Sequence, residues 1–329
     1  MAQILKLEDQ KRKHKRSPDA LNVMSFFERF PDDQSCEEYL FEQTFPNGFV
    51  CSACSCNKYY HLKSEKYTYK CANPKCHKTR SLKTGTAFAR SHKSLHQWYY
   101  LTYFLTMDKQ SISSVLAGKF LEIWDTTAWF MLQKLRYTMQ EDRKKYRLGG
   151  PEKLVQVDEI EISRIDEGPQ KLLVVLEKNN YQEIERVFIT PIKKKDISNV
   201  LPILSSVLLQ GTVVECDGAR LYGQLSAIPT IQVEQVSHSQ EDFRHAYLQA
   251  LNTTVGNLKN GILGTFKSVK GKNLGYYCNE FCYRFNRRKK ELDYDDCAFF
   301  RLLRRSIARP LIRKYREFLT SPDDIYQPA

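Results

Sequence analysis

Hydrophobic and polar positions follow two different periods along this chain, and the change falls at a Gly149-Gly150-Pro151 break. Between about 95 and 146, apolar residues recur at helical spacing, which predicts a set of helices. After the break, residues 154–162 alternate between apolar and polar, and 171–176 and 184–189 are further segments of strand length. The chain is therefore predicted to have a helical half, followed by a half in which strands come first.

The second half continues with a different order of elements. A helix is predicted around 198–209, a short buried strand at 212–216 leads directly to Asp217, and the remainder from about 240 to 315 is mainly helical. Strands followed by alternating strands and helices are typical of a mixed α/β layered fold.

Within the first half, the pattern predicts a short helix pair between 22 and 45. Farther along, a short helix at 111–116, a turn around 118–124 and a longer helix at 125–139 favour a helix-turn-helix, whose second helix enters a DNA groove. Any small helical bundle would give the same pattern, so this interpretation keeps that alternative.

Cysteines are concentrated between these two helical segments. Cys51 and Cys54 are separated by two residues, Cys71 and Cys76 by four, and 16 residues lie between the pairs. Two cysteine pairs on tight turns, joined by a hairpin, supply the four thiolates of a structural zinc site. Buried free thiols are the alternative, and two further residues, Cys56 and His61, are possible substitute ligands.

Composition and charge indicate the class of protein and the class of its binding partner. The 329 residues carry a formal net charge of +13, with 42% hydrophobic residues. This content argues against a disordered chain, and charged residues interrupt every apolar run before it reaches membrane-spanning length. Neither a secretory signal nor a membrane segment is predicted, so we expect an intracellular protein. Clustered basic runs favour a nucleic-acid partner; they lie at 11–16, 193–195, 287–290 and 301–316.

Two acidic residues lie on predicted strands of the second half. Asp158 lies mid-strand among valines, with Val155 and Val157 on the opposite face, and Asp217 ends a buried strand before a glycine. Carboxylates at such positions can hold Mg²⁺ for attack on a phosphate. From the residues alone, ordinary ion-paired or capping aspartates remain the alternative.

Several short blocks follow one another in a characteristic order along the chain. In the first half the blocks are FERFP (27–31), FPNGFVC (45–51), TGTAF (84–88) and AW (128–129). In the second half they are VDE (157–159), CDG (216–218) with Tyr222, HS (238–239), KNGILGTF (259–266) and NEFCYRFNRR (279–288). In this order the blocks resemble the Merlin superfamily of transposases and its bacterial insertion-sequence relatives with an ISXO-type catalytic domain, and the resemblance covers the chain from about 22 to 290.

The resemblance implies an RNase H-like fold and a catalytic triad of two aspartates followed by Glu or Asn. Asp158 and Asp217 match the first two positions. Asn252, seven residues before Lys259, matches the third, and the triad would hold Mg²⁺ or Mn²⁺. An asparagine can ligate a metal but cannot act as a base. Reading Asn252 as a helix N-cap is the alternative.

Basic residues around the triad are expected to contact DNA. The resemblance assigns Lys259 to DNA phosphate, with a solvated helix lysine as its alternative. Three arginines on a helix after the triad are predicted to grip the DNA backbone; they are Arg284, Arg287 and Arg288.

The sequence thus predicts five segments: a basic arm (1–21), a helical lead with a zinc ribbon (22–90), a helix-turn-helix-like region (91–148), an RNase H-like catalytic domain (149–290) and a basic C-terminal helical tail (291–329). The fold class is α/β.

The resemblance implies a DNA transposase that binds terminal inverted repeats and joins them to target DNA, working as a homodimer or higher synaptic complex. It would act at the bacterial nucleoid, or in the nucleus of a eukaryotic host. A non-catalytic DNA-binding protein derived from a transposase is the main alternative, and a repair or RNA-processing nuclease is a third.

Overall fold

The computed structural model describes residues 21–107, 110–143, 145–151, 153–163, 168–179, 183–193, 197–217, 231–236, 241–288 and 297–308. For residues 197, 217, 231, 233–236 and 241–249 it describes the backbone alone. In these ranges, no helix combines the length and the apolar character needed to cross a membrane.

Two short helices open the described chain, as predicted. Helices α1 (Val23–Arg29) and α2 (Asp33–Thr44) each begin with a reciprocal capping box. In α1, Asn22 accepts from the backbone N–H of Ser25 while the Ser25 hydroxyl accepts from Asn22 N–H, and Asp32 and Ser35 repeat the arrangement in α2. Such boxes satisfy N–H groups that the first helical turn leaves without partners.

A small antiparallel sheet follows, with strands β1 (Tyr59–His61), β2 (Thr68–Cys71) and β3 (Thr79–Ser81) in sequence order. Helix α3 (Leu95–Met107) then packs its apolar side against α1, α2 and the sheet, in one core with Phe26, Phe30 and Trp98. The N-terminal half is therefore a single packed unit of helices and a ribbon.

Helices α4 (Ser114–Leu121) and α5 (Asp125–Thr138) form a tight helix-turn-helix. The turn takes a left-handed backbone at Glu122, with φ 53°. A Cβ at Gly118 would lie 2.9 Å from the carbonyl oxygen of Ile123, closer than such contacts occur, so only glycine fits where the two helices meet.

A five-stranded mixed sheet forms the second half. Its strands are β4 (Leu154–Ile162), β5 (Gln170–Lys178), β6 (Ile184–Ile192), β7 (Thr212–Asp217) and β8 (Ile231–Val236), in the spatial order β6-β5-β4-β7-β8. The first three form an antiparallel meander, whereas β7 runs parallel to β4 and β8 runs parallel to β7.

Helices cover both faces of this sheet. Helix α6 (Ile197–Val207) packs on the face that carries Val155 and Val157. The other face is covered by α7 (Glu241–Gly261), which continues into a π-helical turn at Ile262–Phe266, and by α8 (Leu274–Phe285). A mixed sheet between two helical layers is the α/β, RNase H-like fold that the sequence predicted.

The last described helix, α9 (Ala298–Ala308), returns to the N-terminal half. Its residues Phe299, Phe300 and Leu303 are buried in the same core as Phe26 and Phe30. The sequence placed this helix in a basic tail, but its apolar face instead completes the N-terminal core.

A buried ion pair fastens the two halves to one another. Arg136 of α5 and Glu280 of α8 are about 1% and 2% exposed, and Nε lies 2.6 Å from Oε2. The Arg136 guanidinium also lies 4.3 Å from the centre of the Tyr277 ring. Nearby, Glu141 accepts from both Arg287, at 2.6 Å, and Arg305, at 3.2 Å.

Removing one partner of the buried pair should destabilise the protein strongly. Glu280→Leu leaves the Arg136 charge buried, so we expect the free energy of unfolding to fall by roughly 3–5 kcal/mol. The double variant with Arg136→Met should recover part of this loss. Denaturant titration measures both.

The half-exposed pair of Lys153 and Glu185 provides the matched control. Lys153→Ala should change the free energy of unfolding by about 1 kcal/mol or less. Equal losses for Glu280→Leu and Lys153→Ala would contradict the role given to the buried pair.

Candidate metal centres and nucleic-acid surface

The four predicted zinc ligands meet at one point of the ribbon. Cys71 is the last residue of β2, and Cys76 follows the Asn73–Lys75 turn. The Sγ atoms of Cys51 and Cys76 lie 3.7 Å apart and those of Cys54 and Cys71 lie 3.5 Å apart. A tetrahedral zinc with Zn–S bonds of about 2.3 Å places its sulfur atoms about 3.8 Å apart, so the cluster has the size that zinc needs.

Cys56 and His61 lie outside this cluster. The Cys56 thiol is bonded to the backbone of Lys58, and His61 pairs with Glu37 at 3.1 Å and stacks on Tyr69. Among the described residues, the four cysteines are the group of possible metal ligands whose donor atoms lie together, all within 4.8 Å. The substitute ligands are therefore not needed.

One cysteine of the cluster is already predisposed to the thiolate form. The backbone N–H of Ala53 points at Cys51 Sγ and, with further bonds from Cys54 and Cys76, lowers the pKa of that thiol to about 7. Thiolates are the form that binds zinc, so the lowered pKa favours metal binding at this ligand.

The register of the large sheet brings two of the predicted triad positions side by side. The parallel pairing of β4 with β7 runs as far as Val157 opposite Cys216. The next residue on each strand is one of the two predicted aspartates, Asp158 and Asp217. Asp217 is the last residue of β7 and pairs with Val236 of β8 through its backbone.

Asp158 lies on the sheet face opposite the α6 core. Its neighbours Val155 and Val157 are buried against α6, so Asp158 shares the face of Ile160 and Ile162, which α7 and α8 cover. The carboxylate is half-buried, and Oδ1 accepts a 2.7 Å bond from the backbone N–H of Glu159. Aspartate oxygens at this position, beside the end of β7, fit the oxygen ligands that Mg²⁺ prefers.

Asn252 lies in the middle of α7, and its side chain is exposed. The helix begins at Glu241, so the alternative that Asn252 is an N-cap is wrong. Its neighbours Leu251 and Val255 pack into the core on the Asp158 face of the sheet. The helix that carries Asn252 therefore lies over the face of the sheet that carries Asp158.

Lys259 follows Asn252 by seven residues on the same helix. Seven residues advance an α-helix by about 10 Å and bring it back to within about 20° of the same face. Lys259 is half-buried in the last turn of α7. The predicted phosphate contact and the predicted triad position thus share one side of α7.

The three arginines predicted to grip DNA hold α8 in place. Arg284 pairs with Glu280 at 3.1 Å, and Arg287, about 7% exposed, pairs with Glu141. Arg288 donates to the carbonyl oxygens of Ile184 and Glu185. Arg284 and Arg287 are thereby committed to internal ion pairs. Arg288 is the exposed member, although partial burial lowers the pKa of its guanidinium.

Asn286 completes the same attachment. Its amide accepts from Val187 N–H at 2.7 Å and donates to Val187 C=O at 2.9 Å. These bonds satisfy the backbone of β6, which is an edge strand of the sheet. The end of α8 therefore acts as a cover for the sheet edge.

The helix-turn-helix exposes less polar surface than the sequence suggested. Most of α5 is buried, and its exposed residues are Asp125 and Thr126, next to an exposed Trp124. An acidic and aromatic tip does not favour contact with phosphate. Insertion of α5 into a DNA groove stays a prediction.

Sequence reasoning missed a basic groove between the ribbon and α3. It is lined by residues that include Lys66, Lys83, Arg90 and His92, and Lys134 lies beneath it. The density of basic residues between 83 and 93 was a signal, but Lys134 is far away in the sequence.

Zinc should be bound by Cys54 and not by Cys56. Cys54→Ser removes one of four ligands, so we expect zinc per chain and the melting temperature both to fall, since a structural zinc contributes its binding energy to folding. Metal analysis and thermal unfolding measure the two effects.

Cys56→Ser is the control, because it changes the same atom two positions away. It should keep one zinc per chain and the melting temperature of the wild type. Equal zinc loss in both variants would contradict the assignment of the ligands.

Comparison with known proteins agrees with this geometry. Residues 137–286 match the ISXO2-like transposase domain, and residues 31–79 match the transposase zinc-ribbon domain. The first match contains Asp158, Asp217, Asn252 and Lys259, and the second contains all four cysteines of the cluster.

A search of curated proteins found no match. Among solved structures, the chain is similar to one in the "CryoEM structure of simian T-cell lymphotropic virus intasome in complex with PP2A regulatory subunit B56 gamma". The identity is 13%, the TM-score is 0.30, and the match covers 55% of this chain and 66% of that chain, slightly less than two thirds of its length. A likeness this distant carries no argument about function.

Proposed function

Because this chain belongs to the ISXO-like family of insertion-sequence transposases, we propose that it is an active DNA transposase. It binds the terminal inverted repeats of its element, cleaves the DNA next to them and joins the freed ends to target DNA. The observation that carries this proposal is the register of β4 and β7, which makes Asp158 and Asp217 adjacent positions of one sheet.

The proposed reaction requires the protein to position the DNA and to stabilise negative charge, and it forms no covalent bond with the protein. In the first step, water attacks the phosphorus, a new P–O bond forms, and the 3′ oxygen leaves with a proton. In the second, the freed 3′ hydroxyl attacks a target phosphodiester, and one P–O bond forms as another breaks. No energy-rich cofactor is needed for this exchange.

Asp158 and Asp217 are the proposed ligands of the divalent metal. Bound Mg²⁺ or Mn²⁺ supplies charge stabilisation for the phosphate oxygens and for the attacking and leaving oxygens. The bond from Glu159 N–H to Asp158 Oδ1 orients the carboxylate that is proposed to bind the metal. The proposal needs no protein cage, since Mg²⁺ sites commonly combine one or two carboxylates with substrate phosphates.

Asn252 is proposed to complete the site without adding charge. Its amide oxygen can ligate a metal, and its NH₂ group can donate to a phosphate oxygen. Lys259, on the same side of α7, is proposed to contact the DNA phosphate and so to orient the strand. Two DNA ends must be brought together for transposition, so a homodimer or a higher synaptic complex is the proposed assembly.

A second candidate function, DNA binding without cleavage, is favoured by one observation. The third position is a neutral and exposed asparagine, so a DNA-binding protein that has lost cleavage would keep the same ribbon and basic surface. Inverted repeats flanking the gene favour an active element, whereas an isolated gene favours the non-catalytic protein.

Cleavage should depend on the two aspartates. We expect Asp158→Asn and Asp217→Asn each to slow Mg²⁺- or Mn²⁺-dependent cleavage of duplex bearing the flanking repeat by at least about a thousandfold, because metal stabilisation of the transition state is worth several kcal/mol. Initial rates on end-labelled DNA measure this.

Glu161 is the matched control, since it is an exposed acid on the same strand, β4. Glu161→Gln should cleave at the wild-type rate. All variants are compared at equal zinc content and melting temperature. Cleavage at the wild-type rate by the two aspartate variants would remove them from the site.

The third position is tested separately. Asn252→Ala should lower the cleavage rate by about 10- to 100-fold, the loss of one contributing polar group. Asn252→Glu, which keeps an oxygen ligand, should retain more activity than Asn252→Ala. Asn257→Ala, an exposed residue of the same helix, is the control. Full activity in Asn252→Ala would show that Asn252 has no part in the reaction.

A further inference from the structure

An open groove runs between the zinc ribbon and the beginning of α3. One wall of the groove is formed by the ribbon, with Lys66 and Tyr67, which come just before β2. The other wall is the segment that leads into α3. None of the residues that line the groove is acidic.

Lys83 forms the floor of this groove. It is about 8% exposed, and its ammonium donates to the carbonyl oxygens of Ser91 and Lys93 at 3.3 and 2.5 Å. It also lies 4.4 Å from the centre of the Tyr67 ring. These contacts bind the 91–93 segment to the ribbon and place a positive charge beneath the groove.

A second buried lysine reaches the same place from α5. Lys134 is about 3% exposed and donates to the carbonyl oxygen of Ala89 at 2.6 Å. Its ammonium lies over the rings of Trp98 and Phe130, at 5.5 and 5.2 Å. Among the ion pairs of the described residues, neither Lys83 nor Lys134 pairs with a carboxylate.

The positive charges here oppose one another. Burial lowers the pKa of Lys134 to about 8, and repulsion by Lys83 and Arg90 adds to the shift. Burial likewise lowers the pKa of Lys83 to about 8, against the attraction of Asp33. The oxygens of Asp33 accept hydrogen bonds from the Tyr67 hydroxyl and from the backbone N–H of His96, and Asp33 does not line the groove.

The exposed edge of the groove adds further basic side chains, of which Lys66 and Arg90 carry a positive charge. Lys66, Arg90 and His92 are exposed, and Arg90 holds a left-handed backbone with φ 55°. Such a backbone is costly for a residue other than glycine and persists where the surroundings impose it. Converging cations with no acidic lining attract an anion, and an open groove suits a polymer better than an enclosed ion.

We propose that this groove binds the phosphate backbone of duplex DNA, with Lys66 and Arg90 as the exposed contacts and Lys83 and Lys134 supplying positive charge beneath them. Its lining residues belong to the zinc ribbon, to the beginning of α3 and to the segment between them, and not to the sheet that carries Asp158 and Asp217. We therefore expect the groove to position the DNA without taking part in the reaction. The inference rests on the proposed function, because it assumes that DNA is the ligand.

The test is the salt dependence of duplex binding by the full-length, zinc-loaded protein. Fluorescence anisotropy with a labelled duplex gives the affinity at several salt concentrations. Each phosphate contact contributes about 0.9 to the slope of log affinity against log salt. Arg90→Gln should therefore reduce the slope by about 1, and Arg90→Gln with Lys66→Gln by about 2.

Lys270→Gln is the charge-matched control, since Lys270 is an exposed lysine of the other half of the chain. It should leave the slope unchanged. Unchanged slopes in the groove variants, or an equal reduction in Lys270→Gln, would overturn the proposal while leaving duplex binding intact. A wild-type protein that binds no duplex at all would overturn the proposed function and the groove together.

A second arm separates DNA from a free anion. Inorganic phosphate at about 10 mM and constant ionic strength should not displace duplex from the wild type, because a single phosphate ion lacks the many contacts of a duplex. Displacement from the wild type but not from the double variant would identify a small-anion site and overturn the assignment to DNA.

Discussion

The structure depends on a salt bridge that water does not reach. Arg136 and Glu280 are both almost fully buried, and one leaves α5 while the other leaves α8. A buried charge is tolerated only when its partner is present and well aligned. The pair therefore constrains how α5 of the first half packs against α8 of the second. The ring of Tyr277 beneath the guanidinium and the neighbouring Arg287–Glu141–Arg305 cluster reinforce the same junction.

The chain also folds back on itself. Helix α9 follows the sheet half in sequence but completes the core of the N-terminal half, through Phe299 and Phe300. The ribbon half and the sheet half are joined by the buried ion pair between α5 and α8. DNA held by the ribbon would then lie in a fixed relation to Asp158 and Asp217, as the proposed cleavage at a defined distance from a repeat requires.

Basic residues divide into two groups, those that form internal ion pairs and those that are proposed to bind DNA. Arg284 and Arg287 hold α8, although their sequence context is indistinguishable from that of a DNA-contacting helix. The partner of Arg284 is Glu280, four residues earlier on the same helix, a spacing that the sequence shows. The partner of Arg287 is Glu141, which is distant in the chain, and no local pattern marks it. Lys83 and Lys134 show the reverse, because only the packing of α5 against the ribbon segment brings them together.

Local patterns predicted much of the rest. The spacing of Cys51, Cys54, Cys71 and Cys76 was sufficient for the zinc site, since a hairpin alone brings them together, but the exclusion of Cys56 needed coordinates. Alternation predicted β4 and the face of Asp158, whereas the order of the strands follows from long-range pairing. The polar run at 252–254 imitates an N-cap, yet Leu251, Val255 and Leu258 continue one apolar stripe through it, and the helix begins at Glu241.

Two adjacent strands are proposed to place Asp158 and Asp217 so that they form one divalent metal site. Electron paramagnetic resonance of Mn²⁺ added to the zinc-loaded protein with duplex DNA measures that binding without requiring cleavage. We expect bound Mn²⁺ in the wild type and in Glu161→Gln, and its loss in both Asp158→Asn and Asp217→Asn. The same amount of bound Mn²⁺ in all four proteins would contradict a metal site shared by the two aspartates.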